Sequence, residues 1–519
     1  MIPRQTLARL LPTTLVLLCA ALAARADVKL PALFSDHMVL QQGLPLKVWG
    51  WAEPGEKVTV EFRQQKTTVT TPASGKWLVT LKAEAAGDPG TLTVSGKNTV
   101  SISDVLVGEV WIASGQSNME FGMRGSFESA ADIAASANPQ IRHFNVKKAK
   151  ADQPLTDVSG TWQLAGPDTT ASFSAVGYYF SRDLQKALKV PVGVIHTSWG
   201  GSPAEVWMSE PVLSGNAGYQ RDILDPYPAQ KERFEKALAQ YRKDKDAAKA
   251  DNKPFTKQAP RAPWKPTELY NAMIAPLIPY TIQGAIWYQG ESNAGRAWQY
   301  RTLYADMIRN WRRDWNQGNF TFLGVQLAPF DHSRKRSLEE ITAVPTNSSW
   351  AELREAQVLS TTTLKNCGLA VITDVGDKDD IHPTRKAPVG ARLALQAREI
   401  AYGEKLVAAG PAYKGLKVKG NQALLSFDHV GGGLEALGGA LTGFAISGED
   451  QKFVWGKAEI QGDKIIVSSP EVAKPVAVRF GWADFPVVNL FNKEGLPASP
   501  FRTDNFPMTT EPKKAGPKK

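Results

Sequence analysis

The chain has 519 residues, more than a single hydrophobic core usually sustains, so two or three domains are expected. Hydrophobic residues make up 43% and charged residues 22%, proportions that exclude a generally disordered chain and match a soluble globular one. The formal charge of +10 falls to +7 without Arg4, Arg9 and Arg25 of the leader described next. Four lysines of "EPKKAGPKK" against Glu511 carry three more charges, and the +4 left over marks no basic face and no nucleic-acid-binding module.

At the N-terminus, Arg4 and Arg9 precede an apolar run from Leu10 to Ala24 that closes on Ala24-Arg25-Ala26. This is the pattern of a secretory signal peptide over residues 1–26, with Asp27 as the mature terminus. A membrane anchor is disfavoured because the run falls short of the ~20 residues a span needs, and Leu18 stands where a lipid anchor on Cys19 wants a small residue. The reading is a secreted or periplasmic protein, with no membrane partner once the leader is cleaved. Cys19 leaves with it, so Cys367 has no disulfide partner and stability rests on core burial. Cys367, just before the apolar "GLAVIT", reads as a core residue.

Residues 27–104 run as short alternating stretches, "LKVWGWA", "KVTVEF", "KTTVTT", "KWLVTL" and "TLTVSG", separated by turn residues such as Glu53-Pro54-Gly55 and Asp88-Pro89-Gly90. This spacing predicts an antiparallel β-sandwich. Its Trp49, Trp51 and Trp77 are candidates for stacking on sugar, set against a purely structural role.

The character changes over residues 105–403. Apolar runs "VWIAS", "VGVIHTS", "IQGAIWYQG", "TFLGVQLA" and "LAVITDV" alternate with helical patterns such as "AVGYYFSRDLQKAL", "YRTLYADMIRNWRRDW" and "PVGARLALQAREIA". Continuous apolar strands between amphipathic helices predict a parallel sheet covered on both faces, a doubly wound α/β domain. Residues 227–265 are highly charged and read as a solvated helix and loop inserted into it. Residues 404–508 return to β patterning ("ALLSFDHV", "GFAISG", "KIIVSS", "VAVRFGW"), and residues 509–519 read as a disordered basic tail.

Ligands of open parallel sheets collect at the carboxyl ends of the strands. Four such ends carry unusual polar residues: "GQSNME" after "VWIAS", "WGGSPAEVW" after "VGVIHTS", "GESNAG" after "GAIWYQ", and "KDDIHPTRK" after "AVITDVGD". A serine attacks an ester only when a base takes its proton and an acceptor orients that base. Ser117 is the serine of the first block. Of six histidines, His382 is best placed, following a predicted strand among Asp377, Asp379 and Asp380. The oxyanion of the tetrahedral intermediate needs fixed donors. Candidates are the backbone N–H groups of Ser117 and of Gly200 or Gly201, and the side-chain amide of Gln289 or Asn293.

The blocks "GQSNM", "SWGGSPAEVWM", "WYQGESNA" and "DIHP", in this order, resemble the sialate O-acetylesterase family of the SGNH-hydrolase superfamily. "LPALFSDHMVLQQGLPLKVWGWAEPGEKVTVEF" and "ISDVLVGEVWIASGQSNME" are likewise similar to that family's N-terminal half. The resemblance implies a flavodoxin-like three-layer α/β/α domain, flanked by the β-sandwich and the C-terminal β-rich segment. It also implies removal of O-acetyl groups from an acetylated carbohydrate through a serine acyl-enzyme, with no metal and no cofactor. It carries Ser117 over as nucleophile and His382 as general base. The superfamily's usual spacing points to Asp379 as the acidic partner, and the family's "DIHP" to Asp380, which is favoured. The third block departs from Gly-x-Asn-Asp, so the oxyanion side chain is open between Gln289, favoured, and Asn293. Glu291 is left open between orienting the loop, orienting a substrate hydroxyl and a purely structural role. The sugar is open between sialic acid and plant polysaccharides such as xylan or xyloglucan.

Three other functions fit the sequence less well. A glycoside hydrolase could cast Glu291 and Asp380 as its two carboxyl groups, which leaves Ser117 and His382 idle. A non-catalytic carbohydrate-binding protein would not need the serine, histidine and aspartates together. A metallohydrolase would need histidines at ligand spacing, which are absent from the sequence. The oligomeric state is not legible, and Met119, where an α/β-hydrolase elbow has its second glycine, points away from that fold.

Overall fold

The computed structural model describes residues 27–513 except residue 334. The leader and residues 514–519 of the tail lie outside the described residues. The alternating stretches near the start form β1 Val39–Gln41, β2 Leu46–Trp51, β3 Lys57–Phe62, β4 Gln65–Thr70, β5 Lys76–Leu81 and β6 Gly90–Ser95. In β5, Trp77, Val79 and Leu81 are buried while Lys76, Leu78 and Thr80 face out, as expected of a sheet with one wet face. Strand β2 pairs antiparallel with β5, and β3 lies between β4 and β6, antiparallel to both. Trp49 and Trp77 are 1% and 0% exposed, so neither offers a face to sugar. Inside this module Trp49 meets Phe34 edge-on at 4.8 Å, and it packs on the next segment through Tyr280 at 6.2 Å.

Strand β7, Thr99–Gly115, runs without a break across residue 104. Its first half pairs antiparallel with β6, and its second half lies parallel between two strands of the central sheet. Every residue from Val105 to Gly115 is buried, which is what a strand covered on both faces requires.

The rest of that sheet is β8 Asn138–Asn145, β9 Trp162–Ala165, β10 Val192–Ser198, β11 Gly284–Tyr288, β12 Thr321–Val325 and β13 Cys367–Ala370. Their order is β13-β12-β11-β7-β10-β8-β9. All neighbours are parallel except β8 and β9. The run "LAVITDV" leaves the ladder at Ala370, sooner than its apolar character predicts. Arg392 binds the Val371 carbonyl and, at 2.6 and 2.7 Å, the Asp374 carboxylate, which turns the chain away.

Helices Ala175–Leu188 and Ala387–Ile400 share a core with Trp111, Ala113, Ile286 and Tyr288. Helices Ala297–Trp315 and Ser349–Thr363 share another with Val110, Ile112, Ala285 and Trp287. Successive strand residues therefore enter opposite layers, the period-two consequence of the β pleat. From β7 the chain passes to β8 and β10 on one side and returns to β11 on the other. This places the topological switch point at the carboxyl end of β7.

The charged stretch forms helix Tyr227–Ala250, in which no residue is buried. Beyond the central sheet, strands Ala412–Lys419, Gln422–Asp428, Lys464–Ser468 and Lys457–Gln461 form an antiparallel sheet, and the apolar residues of this segment form a core of their own. The expectation of disorder from residue 509 is corrected at its start. Thr509 and Thr510 donate backbone and side-chain hydrogen bonds to Glu352, a buried carboxylate that needs such donors. The molecule is thus mixed α/β, with a large mixed sheet and additional β-rich segments. Among the described residues no helix is long and apolar enough to cross a membrane.

Candidate active site

The abrupt change from "VWIAS" to "GQSNME" has a local cause. Gly115 ends β7 at φ +135°, and a Cβ there would stand 2.2 Å from the Tyr288 carbonyl oxygen. Only glycine lets the two strand ends approach this closely. Gln116 N–H then bonds the same carbonyl at 3.0 Å, and the chain turns into a single helical turn, Ser117–Glu120. Ser117 thus stands at the switch point.

His382 reaches it from the loop beyond β13, with Nε2 2.8 Å from Ser117 Oγ. Asp377 shapes that loop, its Oδ1 accepting the Asp379 and Asp380 N–H groups at 2.8 and 3.1 Å. Asp380 Oδ1 accepts the His382 backbone N–H at 2.9 Å and lies 3.6 Å from His382 Nδ1. Asp379 pairs with Lys378 at 2.5 Å. Asp380 is therefore the carboxylate that approaches the imidazole. Burial pushes His143 and His196 down to about 3 and about 4, and both point to other partners: His143 stacks on Phe173 and His196 bonds Asn145 and Ser198.

The glycines after β10 close the other side. A Cβ on Gly200 would stand 3.2 Å from both Ser117 Cβ and Glu120 Oε2. The Gly200 N–H donates to Glu120 Oε2 at 2.6 Å, so it is already committed. The N–H groups of Ser117 and Gly201 carry no hydrogen bond among the described residues.

Gln289, the favoured side-chain donor, is fully buried with both amide hydrogens engaged, by Ser202 O at 3.2 Å and Asn293 Oδ1 at 2.7 Å. Its own oxygen accepts from Tyr300. That assignment is corrected: Gln289 sits beneath the glycine loop and ties Ser202 to Asn293, because a buried amide must spend all its hydrogen-bonding capacity on its surroundings. Asn293 Oδ1 also accepts the Ala204 N–H, and its Nδ2 donates to Glu205 at 2.9 Å.

Glu291, open between loop, substrate and a purely structural role, is half-buried, with its carboxylate turned inward. Its Oε1 accepts from Asn118 Nδ2 at 2.6 Å and its Oε2 is a buried oxygen without a partner among the described residues. Burial raises its pKa. Close by, burial pushes Lys386 down to about 7, with Glu291 opposing the shift. A hydroxyl held by an imidazole, a carboxylate behind it and unbonded N–H groups alongside are the parts that acyl transfer needs.

The model for the carbohydrate esterase, sialic acid-specific acetylesterase family matches residues 107–256 and 255–398, more than half of the chain. The chain belongs to this family. It is 30% identical over 461 residues to sialate O-acetylesterase of Rattus norvegicus, covering 80% of this chain and 82% of that one. The Homo sapiens sialate O-acetylesterase is 29% identical over 448 residues, covering 80% and 79%. Among solved structures, a carbohydrate acetylesterase from Xanthomonas citri is 40% identical and covers 92% of this chain and all of that one, with a TM-score of 0.79. The protein is an esterase, a carboxylic ester hydrolase.

Several residues around Ser117 carry little signal of their own in the sequence. Asn118 and Glu120 stand inside the first block, where Glu120, three residues after Ser117, falls on the same helical turn. Lys386 closes the fourth block, "KDDIHPTRK", and is fully buried. Beside the glycine loop, Trp199 and Trp264 meet edge to face at 5.5 Å. Lys148 stands 5.4 Å from the Trp199 ring and Lys150 4.2 Å from the Trp264 ring.

Proposed function

We propose that the chain is a secreted or periplasmic serine carbohydrate esterase of the flavodoxin-like SGNH type that removes O-acetyl groups from sugars. Ser117 is the nucleophile, His382 the general base and Asp380 the carboxylate that orients it. The observation that carries the reading is the 2.8 Å contact between Ser117 Oγ and His382 Nε2 at the carboxyl end of β7. With β8 and β9, which lie beyond β10, left out, the order β10-β7-β11-β12-β13 runs 2-1-3-4-5 along the chain and supports the flavodoxin-like assignment. Residues 105–403 form the catalytic unit in this reading, with residues 27–104 and 404–508 as its flanking β modules.

His382 Nε2 takes the Ser117 proton as Oγ attacks the acetyl carbonyl carbon. The carbonyl oxygen gathers negative charge and is met by the backbone N–H groups of Ser117 and Gly201. Asp380 stabilises the imidazolium. The bond to the sugar oxygen then breaks, that oxygen takes the proton from His382, and acetyl-Ser117 remains. Water, deprotonated by His382, attacks the acetyl group; acetate leaves and Ser117 Oγ regains its proton.

The Trp199–Trp264 pair next to the glycine loop supports a sugar substrate, because aromatic faces suit the apolar faces of pyranose rings. The curated relatives are named for sialate; O-acetylated xylan or xyloglucan oligosaccharides are the second substrate class. Two measurements test the reading. Ser117→Ala abolishes release of 4-nitrophenol from its acetate ester while circular dichroism is unchanged, and retained turnover removes Ser117 from the reaction. Acetate release from O-acetylated sialosides compared with acetylated xylo- and xyloglucan oligosaccharides identifies the sugar. N-terminal sequencing of the exported protein is expected to start at Asp27.

A further inference from the structure

Directly after Ser117, Asn118 is fully buried, and its amide is used at both ends. Nδ2 donates to Glu291 Oε1 at 2.6 Å and to the Ile381 carbonyl at 3.0 Å, while Oδ1 accepts from Lys386 Nζ at 2.5 Å. These partners come from three separate stretches: the turn after β11, the residue that precedes His382, and the residue that precedes helix Ala387–Ile400. One amide therefore joins the serine turn to the histidine loop.

Its orientation is dictated by the partners. A backbone carbonyl only accepts, so a flipped amide would aim its oxygen at the Ile381 carbonyl oxygen and lose that hydrogen bond. Lys386 is itself held in place, with Nζ 5.0 Å from the Phe121 ring and 5.2 Å from the Tyr288 ring. The carboxylate of Glu291 supplies the opposite charge.

We propose that Asn118 is a positioning residue for acyl transfer, whose amide, oriented by Lys386 on one side and by Glu291 and the Ile381 carbonyl on the other, holds Ser117 Oγ within reach of His382 Nε2. This rests on the Ser117–His382 reading. A misplacement of about 1 Å between reacting groups costs about 10²-fold in rate, whereas a group with no contact to substrate leaves binding unchanged. Asn118 acts on kcat and not on KM.

The test compares Asn118→Ala, Asn118→Asp, Lys386→Met and Asn118→Ala/Lys386→Met with wild type and Ser117→Ala. The readouts are kcat and KM on 4-nitrophenyl acetate, the burst of 4-nitrophenol that reports acylation, and thermal unfolding. Asn118→Asp keeps the acceptor for Lys386 but loses the donor to Ile381. Both Asn118 variants are expected to lose about 10²-fold in kcat and burst rate, with KM within about twofold. The double variant is expected to be no slower than Asn118→Ala, because the two side chains act through one network. Wild-type-like kcat in folded Asn118 variants overturns the proposal, as do losses that multiply in the double variant. If Asn118→Ala does not fold, Lys386→Met and the isosteric Glu291→Gln decide by the same split between kcat and KM. Turnover by Ser117→Ala instead overturns the nucleophile assignment on which the proposal stands.

Discussion

The carboxylate of Glu120 accepts the backbone N–H of Gly200 at 2.6 Å, tying the helical turn after β7 to the loop after β10. Its other oxygen pairs with Lys148 at the exposed rim, a contact of little energetic weight. The Gly200 bond is the one that matters, since it sets the loop whose next residue, Gly201, presents an N–H with no hydrogen bond among the described residues. Glu120→Ala removes the acceptor and is expected to lower kcat on 4-nitrophenyl acetate by about tenfold or more, as loss of a charge-assisted hydrogen bond of ~1.5–3 kcal/mol would. Glu120→Gln keeps an acceptor and is expected to stay within about threefold of wild type. Equal losses in both would mean that the charge, not the bond to Gly200, is what counts.

Asp379 and Asp380 are neighbours with different surroundings. Asp380 approaches the His382 ring at 3.6 Å and Asp379 pairs with Lys378. Asp380→Asn is expected to lower kcat by about 10²-fold, less than for a fully buried triad aspartate, because water shares the stabilisation of the imidazolium here. Asp379→Asn is expected to remain near wild type. Steady-state rates of the two variants check this, and equal mild losses would remove both from the reaction.

Gly115 is a backbone constraint, distinct from the chemistry beside it. An added methyl group would meet the Tyr288 carbonyl at 2.2 Å, and neither strand of a buried parallel pair yields easily. Gly115→Ala is expected to destabilise the fold by more than about 3 kcal/mol, or to prevent folding. Gly403→Ala, also at positive φ but with no atom within 4 Å, is expected to cost only about 1 kcal/mol. Urea unfolding of the two variants gives the comparison.

The burial of Lys386 predicts a pH dependence of stability. Its pKa falls from 10.5 to about 7 in the folded protein, with burial as the main cause. Between those values the unfolded chain binds more protons than the folded one, so stability rises with pH across this window. The contribution is full above the unfolded value and is lost as pH falls through about 7. The difference in unfolding free energy between wild type and Lys386→Met is therefore expected to shift in favour of wild type from pH 7 to pH 9, by at most about 1.4 kcal/mol per pH unit. A flat difference would show that the lysine is not buried as a single ionisable group.

Part of the fold, and the residues that meet at the end of β7, are legible in the sequence. Helix Ala175–Leu188 and strand β10 fall on the residues whose periodicity defines them, and Ser117 and His382, each following a predicted strand, meet in the fold. The other assignments needed three dimensions. Gln289 has the side chain of a donor, but its hydrogens go to Ser202 and Asn293, partners that no local pattern announces. Trp77 on an alternating strand reads equally well as a binding face or as core, since period two says which residues share a face and not which face is covered.

By itself, the sequence determined the elements, their alternation and the polar residues that follow each strand, because periodicity and turn chemistry act over a few residues. Only the tertiary structure decided which of those residues meet. Lys386 reaches Asn118 across 268 positions of chain and His382 reaches Ser117 across 265, and burial and hydrogen bonding at such separations are set by the order of strands in the sheet and the layers packed on it.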